Sequence, residues 1–364
     1  MEKGSVNVEK TAIDKEDGAF RGLSLAGGKL LVCFERWISV LKILEPDGVE
    51  NEDLERLFSL SPPEDLDFQA AAICSSGVVL VKSVARDRLS GSFAAFSGDK
   101  AGGAIIRISL KVSEDEAESP TSEIHPGGFG SIAVSVRPEQ NTVDVAVVTG
   151  AHAIEKFEFS ADFRTLHGRH HFSFGDYSSR ATGRVLGVCA QSETLVALTD
   201  LCIAAWRLDS RQLLFCQPFS KDGSCLRTMT WIGMALPAEL ENDSRSSSST
   251  ISPFTALAVL KMAAVQRNLI KFFWVSTGVL AEFATLTANL EEGDPISHIV
   301  FDGKRSIVFL AARSLTVLGS QQLKIKGSLP LGAGEGKPVS DAVAEDGVLV
   351  YAVEGSVQIV RLPF

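Results

Sequence analysis

The sequence predicts an all-β fold: a seven-bladed β-propeller of four-stranded antiparallel blades, with residues 1–364 forming one domain. Three observations predict it. An apolar triplet at positions i, i+3 and i+5 returns about every forty to seventy residues, a period that belongs to rings and solenoids. Before each triplet lies a second short apolar run, mostly bounded by Gly, Asp, Asn or Ser, which reads as a strand. The first residues also contain an extended segment that complements the last blade.

Taken in order, Val6, Val8, Thr11 and Ile13 make that extended segment. Residues 19–25, 30–34 and the triplet Ile38/Leu41/Ile43 supply three strands of the first blade. Residues 45–67 read as a long acidic connection with the Pro62-Pro63 pair, in which 53–60 has the pattern of a helical turn or two. It is a solvated loop or an acidic handle for a basic partner. The second blade takes 68–74, 78–84 and Ile105/Ile108/Leu110, with the glycine-bearing stretch between 84 and 105 read as turns. Residues 113–123 lack large apolar residues, so a disordered insertion is expected; Ser119-Pro120 within it is a common phosphorylation dipeptide.

The third blade follows as 131–136, 143–148 and Ile154/Phe157/Phe159, and the fourth as 185–189, 195–198, Ile203/Trp206/Leu208 and an outer strand at 213–216. In the fifth, 229–234, 256–260, Ile270/Phe273/Val275 and 280–283 surround the serine-rich stretch 239–252. Serine runs cannot support a packed core, so a second disordered insertion is expected there. The sixth is 296–301, 307–310 and Leu315/Leu318/Ser320, departing from the apolar rule at Ser320. The seventh is 348–353 with Val357/Val360/Leu362. That blade lacks an outer strand of its own, and the N-terminal strand is expected to join it and close the ring. Closure protects edges that would otherwise template aggregation.

Bulk composition narrows the function. At 45% apolar the chain buries a large core. A formal net charge of −10 opposes general attraction to nucleic acid or anionic membrane. The cysteines (Cys33, Cys74, Cys189, Cys202, Cys216 and Cys225) form no C-x-x-C pair and sit mostly in predicted strands. They read as small buried hydrophobes in a reducing compartment, with no zinc site. The first twenty residues are polar, without a signal-peptide pattern, and the best membrane candidate, 255–265, is too short and contains Lys261. The expectation is a soluble intracellular protein, cytoplasmic or nuclear. Gly332, Gly334, Gly336 and Lys337 imitate a phosphate loop, but Pro338 stands where Ser or Thr is required, so no nucleotide cofactor is expected. No G-x-S-x-G, H-E-x-x-H or calcium-loop spacing occurs, and no small-molecule substrate is expected.

One stretch reverses the local sign of charge. Residues 166–184 read as a loop between the third and fourth blades, in which Arg169, Arg180, Arg184 and the preceding Arg164 gather with His167, His170 and His171. Phe172, Phe174 and Tyr177 are interleaved. Arg164, Arg169, His170, His171, Arg180 and Arg184 are the candidate partner-binding residues: such a loop grips phosphates through Arg and stacks bases on aromatics, or meets an acidic protein surface. It is the only route to RNA that the sequence offers. A metal at the histidines would need a further ligand such as Asp176, and none is expected.

The segments NLIKFFWVSTGVL and CIAAWRLDSRQLL resemble the third strand and turn of WD40-type repeats, and the resemblance runs over nearly the whole chain. The family's Trp position is filled by Trp206 once and by Phe or an aliphatic residue elsewhere. Its Trp-Asp dipeptide and Gly-His pair are absent, so the buried His-Ser-Asp network of the family is not implied. The resemblance implies a non-catalytic protein-interaction scaffold, a subunit of a larger complex. A second likeness, around GDKAGGAIIRISL, is to the companion subunit of a tRNA guanine methyltransferase, and implies a non-catalytic subunit of an RNA-modifying complex. A propeller enzyme with a central-channel site is a third expectation, because channel sites are scattered in sequence.

Overall fold

The structure is a computed structural model. It describes residues 18–44, 54–86, 90–97, 104–111, 131–175, 177, 182–191, 194–218, 228–232, 260–266, 269–276, 279–287, 296–303, 306–311, 313–319, 323–331, 339–353 and 356–362.

Each sheet is built from strands consecutive in sequence. The first sheet is β1 (Phe20–Ala26), β2 (Lys29–Phe34), β3 (Ile38–Ile43) and β4 (Leu54–Leu60). The second is β5 (Leu66–Ile73), β6 (Val79–Ala85), β7 (Ser90–Phe96) and β8 (Ala104–Lys111). The third is β9 (Ile132–Arg137), β10 (Thr142–Gly150), β11 (Ala153–Ser160) and β12 (Leu166–Phe172). The fourth is β13 (Val185–Gln191), β14 (Thr194–Thr199), β15 (Cys202–Arg207) and β16 (Leu213–Pro218). The fifth is β17 (Thr228–Ile232), β18 (Leu260–Gln266), β19 (Leu269–Ser276) and β20 (Val279–Thr287). The sixth is β21 (Ile296–Phe301), β22 (Ser306–Ala311), β23 (Ser314–Gly319) and β24 (Ile325–Pro330). The last sheet has β25 (Val339–Glu345), β26 (Val348–Val353) and β27 (Ser356–Arg361).

First strands of successive sheets lie side by side, from β1 through β5, β9, β13, β17, β21 and β25 back to β1. The arrangement is a propeller with six complete four-stranded blades rather than seven, the last sheet having three strands among the described residues. The segment expected to supply its fourth strand, residues 6–13, lies outside the described residues, as do both predicted insertions. The last sheet still meets the first directly. Asp341 Oδ2 accepts the Leu23 N–H at 2.7 Å, Glu345 accepts those of Gly27 and Gly28 at 2.9 and 3.1 Å, and Arg361 donates to the Leu44 carbonyl at 2.9 Å.

The i, i+3, i+5 triplets follow from burial on both faces. Ile38 packs toward the second sheet, whereas Leu41 and Ile43 pack toward the last one. Ile154 meets the fourth sheet and Phe157 and Phe159 the second. Val357 meets the first sheet and Val360 and Leu362 the sixth. An odd step in a strand changes face, so i serves one neighbouring sheet and i+3 and i+5 serve the other. The second triplet is the exception: Ile105, Ile108 and Leu110 lie on the outer strand β8, and the third strand is β7, within the stretch expected to be turns. In the same way β4 replaces the expected helical turn, and the middle strand of the fifth sheet starts at Leu260, later than expected.

Each four-stranded sheet carries a register shift where its third strand meets the outer one, leaving one extra residue there: Leu57, Ile105, His167, Leu214, Phe283 and Lys326 in chain order. Such bulges twist an edge away from further pairing, so the outer rim resists edge-to-edge association. Among the described residues no helix is long and apolar enough to cross a membrane.

Candidate interaction surfaces

The basic run does not form one loop. Residues 166–172 are strand β12, so alternate side chains point to opposite faces. Arg169 and His171 turn toward the second sheet. Arg169 grips Glu155 with Nε at 2.7 Å and Nη2 at 3.1 Å, donates Nη1 to the Ser109 carbonyl at 3.2 Å, and lies 5.5 Å from the centre of the Phe157 ring. His171 Nδ1 is 3.8 Å from the same Glu155. His170 turns the other way, and its Nδ1 accepts from Arg211 of the fourth sheet at 3.0 Å. Arg164 stands in the turn before β12, mostly exposed, 3.6 Å from Asp162. Arg184 precedes β13, where its N–H donates to Asp200 at 2.7 Å. Arg180 lies outside the described residues. The interleaved Phe172 and Phe174 are buried against Trp206, with ring centres at 5.7 and 4.9 Å; only Tyr177 is exposed. The five described candidates therefore do not converge. Arg169 acts as a staple between sheets, and the expected stacking surface is core.

A second ionic group lies on the opposite face of the third sheet. Lys156 is buried, with Nζ 3.0 Å from Asp144, and donates to the Leu208 carbonyl of the fourth sheet at 2.8 Å. Arg137 also donates to Asp144. Burial pushes the Asp144 carboxyl above the usual carboxylate range, against the pull of Lys156 and Arg137. These charges face one another and Lys156 also reaches a carbonyl, which is the arrangement of a structural clamp. Among the described residues no group of three or more His, Cys, Asp or Glu is placed to hold a metal.

An unsatisfied surface occurs elsewhere, between the first two sheets. β4 runs out into Ser61, Pro62 and Pro63, which carry the chain across to β5; the turn is fastened by Leu66 N–H to the Pro63 carbonyl at 3.0 Å. Proline has no N–H to give to a ladder, so pairing stops there and a groove of about 320 Å³ remains. Its walls include Ser59, Pro62, Pro63, Ser83, Ser92, Phe96 and Arg107. Ser83 and Ser92 are cross-strand partners, and Arg107 is opposite Ala94 in the next row. Further along β6 the same face is apolar, with Val79 and Val81 buried. Arg107 is exposed, and no described residue pairs with it. A guanidinium beside serine hydroxyls and a proline wall fits an extended segment bearing a carboxylate or phosphate. The sequence reading missed this site because Ser92 and Phe96 fell in the stretch read as turns. The Ser92/Ala94/Phe96 alternation was the available signal, obscured by the glycines at both ends.

The architecture is that of a β-propeller with four-stranded antiparallel blades. Among solved structures the chain is similar to a protein in the crystal structure of the mitotic checkpoint complex, with a TM-score of 0.59 and 11% identity over 99% of this chain and 94% of that one. In all, 889 chains of solved structures match, so the fold is too widely shared to select a function by itself. No family model and no curated protein matches the sequence.

Proposed function

We propose that this protein is a non-catalytic interaction scaffold, a subunit of a larger intracellular complex, cytoplasmic or nuclear. The observation that carries the reading is the groove between the first two sheets, where Arg107 stands beside Ser83 and Ser92 and pairs with no residue among the described ones. A partner segment lies extended along the proline wall and sets an acidic or phosphorylated side chain against Arg107. The rigid ring presents the groove with little ordering cost, which favours binding of a flexible segment. On the same reading residues 6–13 add the fourth strand to β25–β27.

The test is co-purification with the tagged full-length chain, repeated with Arg107→Glu and Ser92→Arg. A stable partner retained by the unaltered chain and lost from both variants, at unchanged thermal stability, is the expected result. Recovery of no partner, or equal recovery by all three proteins, overturns the reading. RNA retained in a salt-dependent manner and released by Arg164→Ala with Arg184→Ala would instead select the RNA-modifying alternative.

A further inference from the structure

Cys202 opens β15 and Cys216 lies in β16, the outer strand of the fourth sheet. Cys202 is registered against Pro218 and Cys216 against Ala204, which makes the two thiols diagonal neighbours on one face. Their sulfurs are 3.4 Å apart, with the Cys216 S–H directed at Cys202. That separation is only about 1.4 Å longer than an S–S bond. Thr199 fixes the first sulfur: its Oγ1 accepts the Cys202 N–H at 2.7 Å and lies 3.4 Å from Cys202 Sγ. Cys202 is fully buried, while Cys216 keeps 9% of its surface open at the rim.

We infer that Cys202 and Cys216 form a redox-active dithiol, which hydrogen peroxide oxidises to a cross-strand disulfide. The Cys202 thiolate attacks one peroxide oxygen, the O–O bond breaks, and the departing hydroxide takes up a proton as water. The Cys216 sulfur then displaces the sulfenic hydroxyl from Cys202, which leaves as a second water. Two thiols lose two electrons and two protons, and one peroxide becomes two waters. A dithiol reductant reverses the step by exchange.

Chemical environment separates this pair from the other described cysteines. The hydrogen bond from Cys216 draws the Cys202 thiol down to about 7, against the effect of its burial and with help from Thr199. The same bond pushes the Cys216 thiol up. Burial pushes Cys33 and Cys74 up to about 12, and Cys189 up as well. Thiolate is the reactive form, and a partner sulfur 3.4 Å away captures the sulfenic acid, so the pair is set to oxidise ahead of these. The bond fastens the outer strand β16 to β15 independently of the ladder.

The test treats the folded full-length chain with hydrogen peroxide and maps thiols by mass spectrometry. The intact mass should fall by two hydrogens, a linked Cys202–Cys216 peptide should appear and vanish on reduction, and Cys202 should lose free thiol about tenfold faster than Cys33. Cys216→Ser, which spares the buried partner and is checked for folding by circular dichroism, should yield a dimedone-trapped sulfenic acid at Cys202 and no linked peptide. Failure of the unaltered chain to form the linked peptide, or oxidation of Cys33 and Cys74 at the same rate, overturns the inference.

Discussion

The third sheet and the join between the last and first sheets both bring carboxylates into the interior, and they satisfy them differently. Asp144 and Glu155 meet cations: Lys156 and Arg137 for one, Arg169 for the other. Asp341 meets backbone, accepting the N–H groups of Leu23 and Ala342 at 2.7 and 2.8 Å. In the third sheet the cations also reach carbonyls of the neighbouring sheets, so charge works there as a clamp across interfaces. At the join no cation among the described residues offsets desolvation, and burial pushes the Asp341 carboxyl up to about 7. The ring is consequently clamped by ion pairs on one side and joined by a titrating acid on the other.

The largest effect should come from breaking the clamp at its buried centre. Lys156→Met takes the buried lysine cation away from Asp144, leaving Arg137, and should cost about 3–5 kcal/mol, read from the midpoint of denaturant unfolding. Replacing Asp144 by Leu in the same chain should recover much of the loss, because a buried pair exchanged for apolar groups is close to neutral. An uncorrected double variant would mean that these charges do more than compensate each other.

Removing the acid at the join should have the next effect. Asp341→Ala strands the buried Leu23 N–H and should cost about 1–3 kcal/mol. The pH dependence has a definite sign. Asp341 binds its proton more tightly in the folded state than an unfolded aspartate does, near pH 3.9 or so. Its contribution is therefore complete below about pH 4 and is lost as pH rises through about 7. Asp341→Asn should flatten the fall in stability between about pH 4 and 7; an unaltered slope would assign the dependence to other groups.

Arg169→Lys should cost about 1–2 kcal/mol despite keeping the charge, since a lysine cannot reproduce the two-pronged grip on Glu155. Arg107→Glu, at the groove, should change stability by less than about 0.5 kcal/mol, because no described residue pairs with it. Together the two variants separate an arginine that serves the fold from one free to serve a partner.

The strand repeats were legible because sandwiched strands bury both faces, and the odd step inside each triplet records the change of neighbour. Trp206 was legible for the same reason, and its indole N–H donates to the Ser173 carbonyl at 2.7 Å. β7 was not, since SGSFAAF carries small residues whose burial depends on the neighbouring sheets. β12 was misread as a loop because LHGRHHF has only two large apolar residues; it pairs as a strand because β11 offers a complete ladder edge.

The order of short strands, their alternation and the ring they build were determined by the sequence itself, because a strand's pattern of burial is written in consecutive residues. Which charges are spent on the fold and which stay available was decided only in three dimensions. Arg169 and Arg107 are the same residue type on outer strands, yet a carboxylate from the adjacent strand claims the first, and none among the described residues approaches the second. The pairing of a charge depends on residues brought beside it by folding, and local sequence carries no record of them.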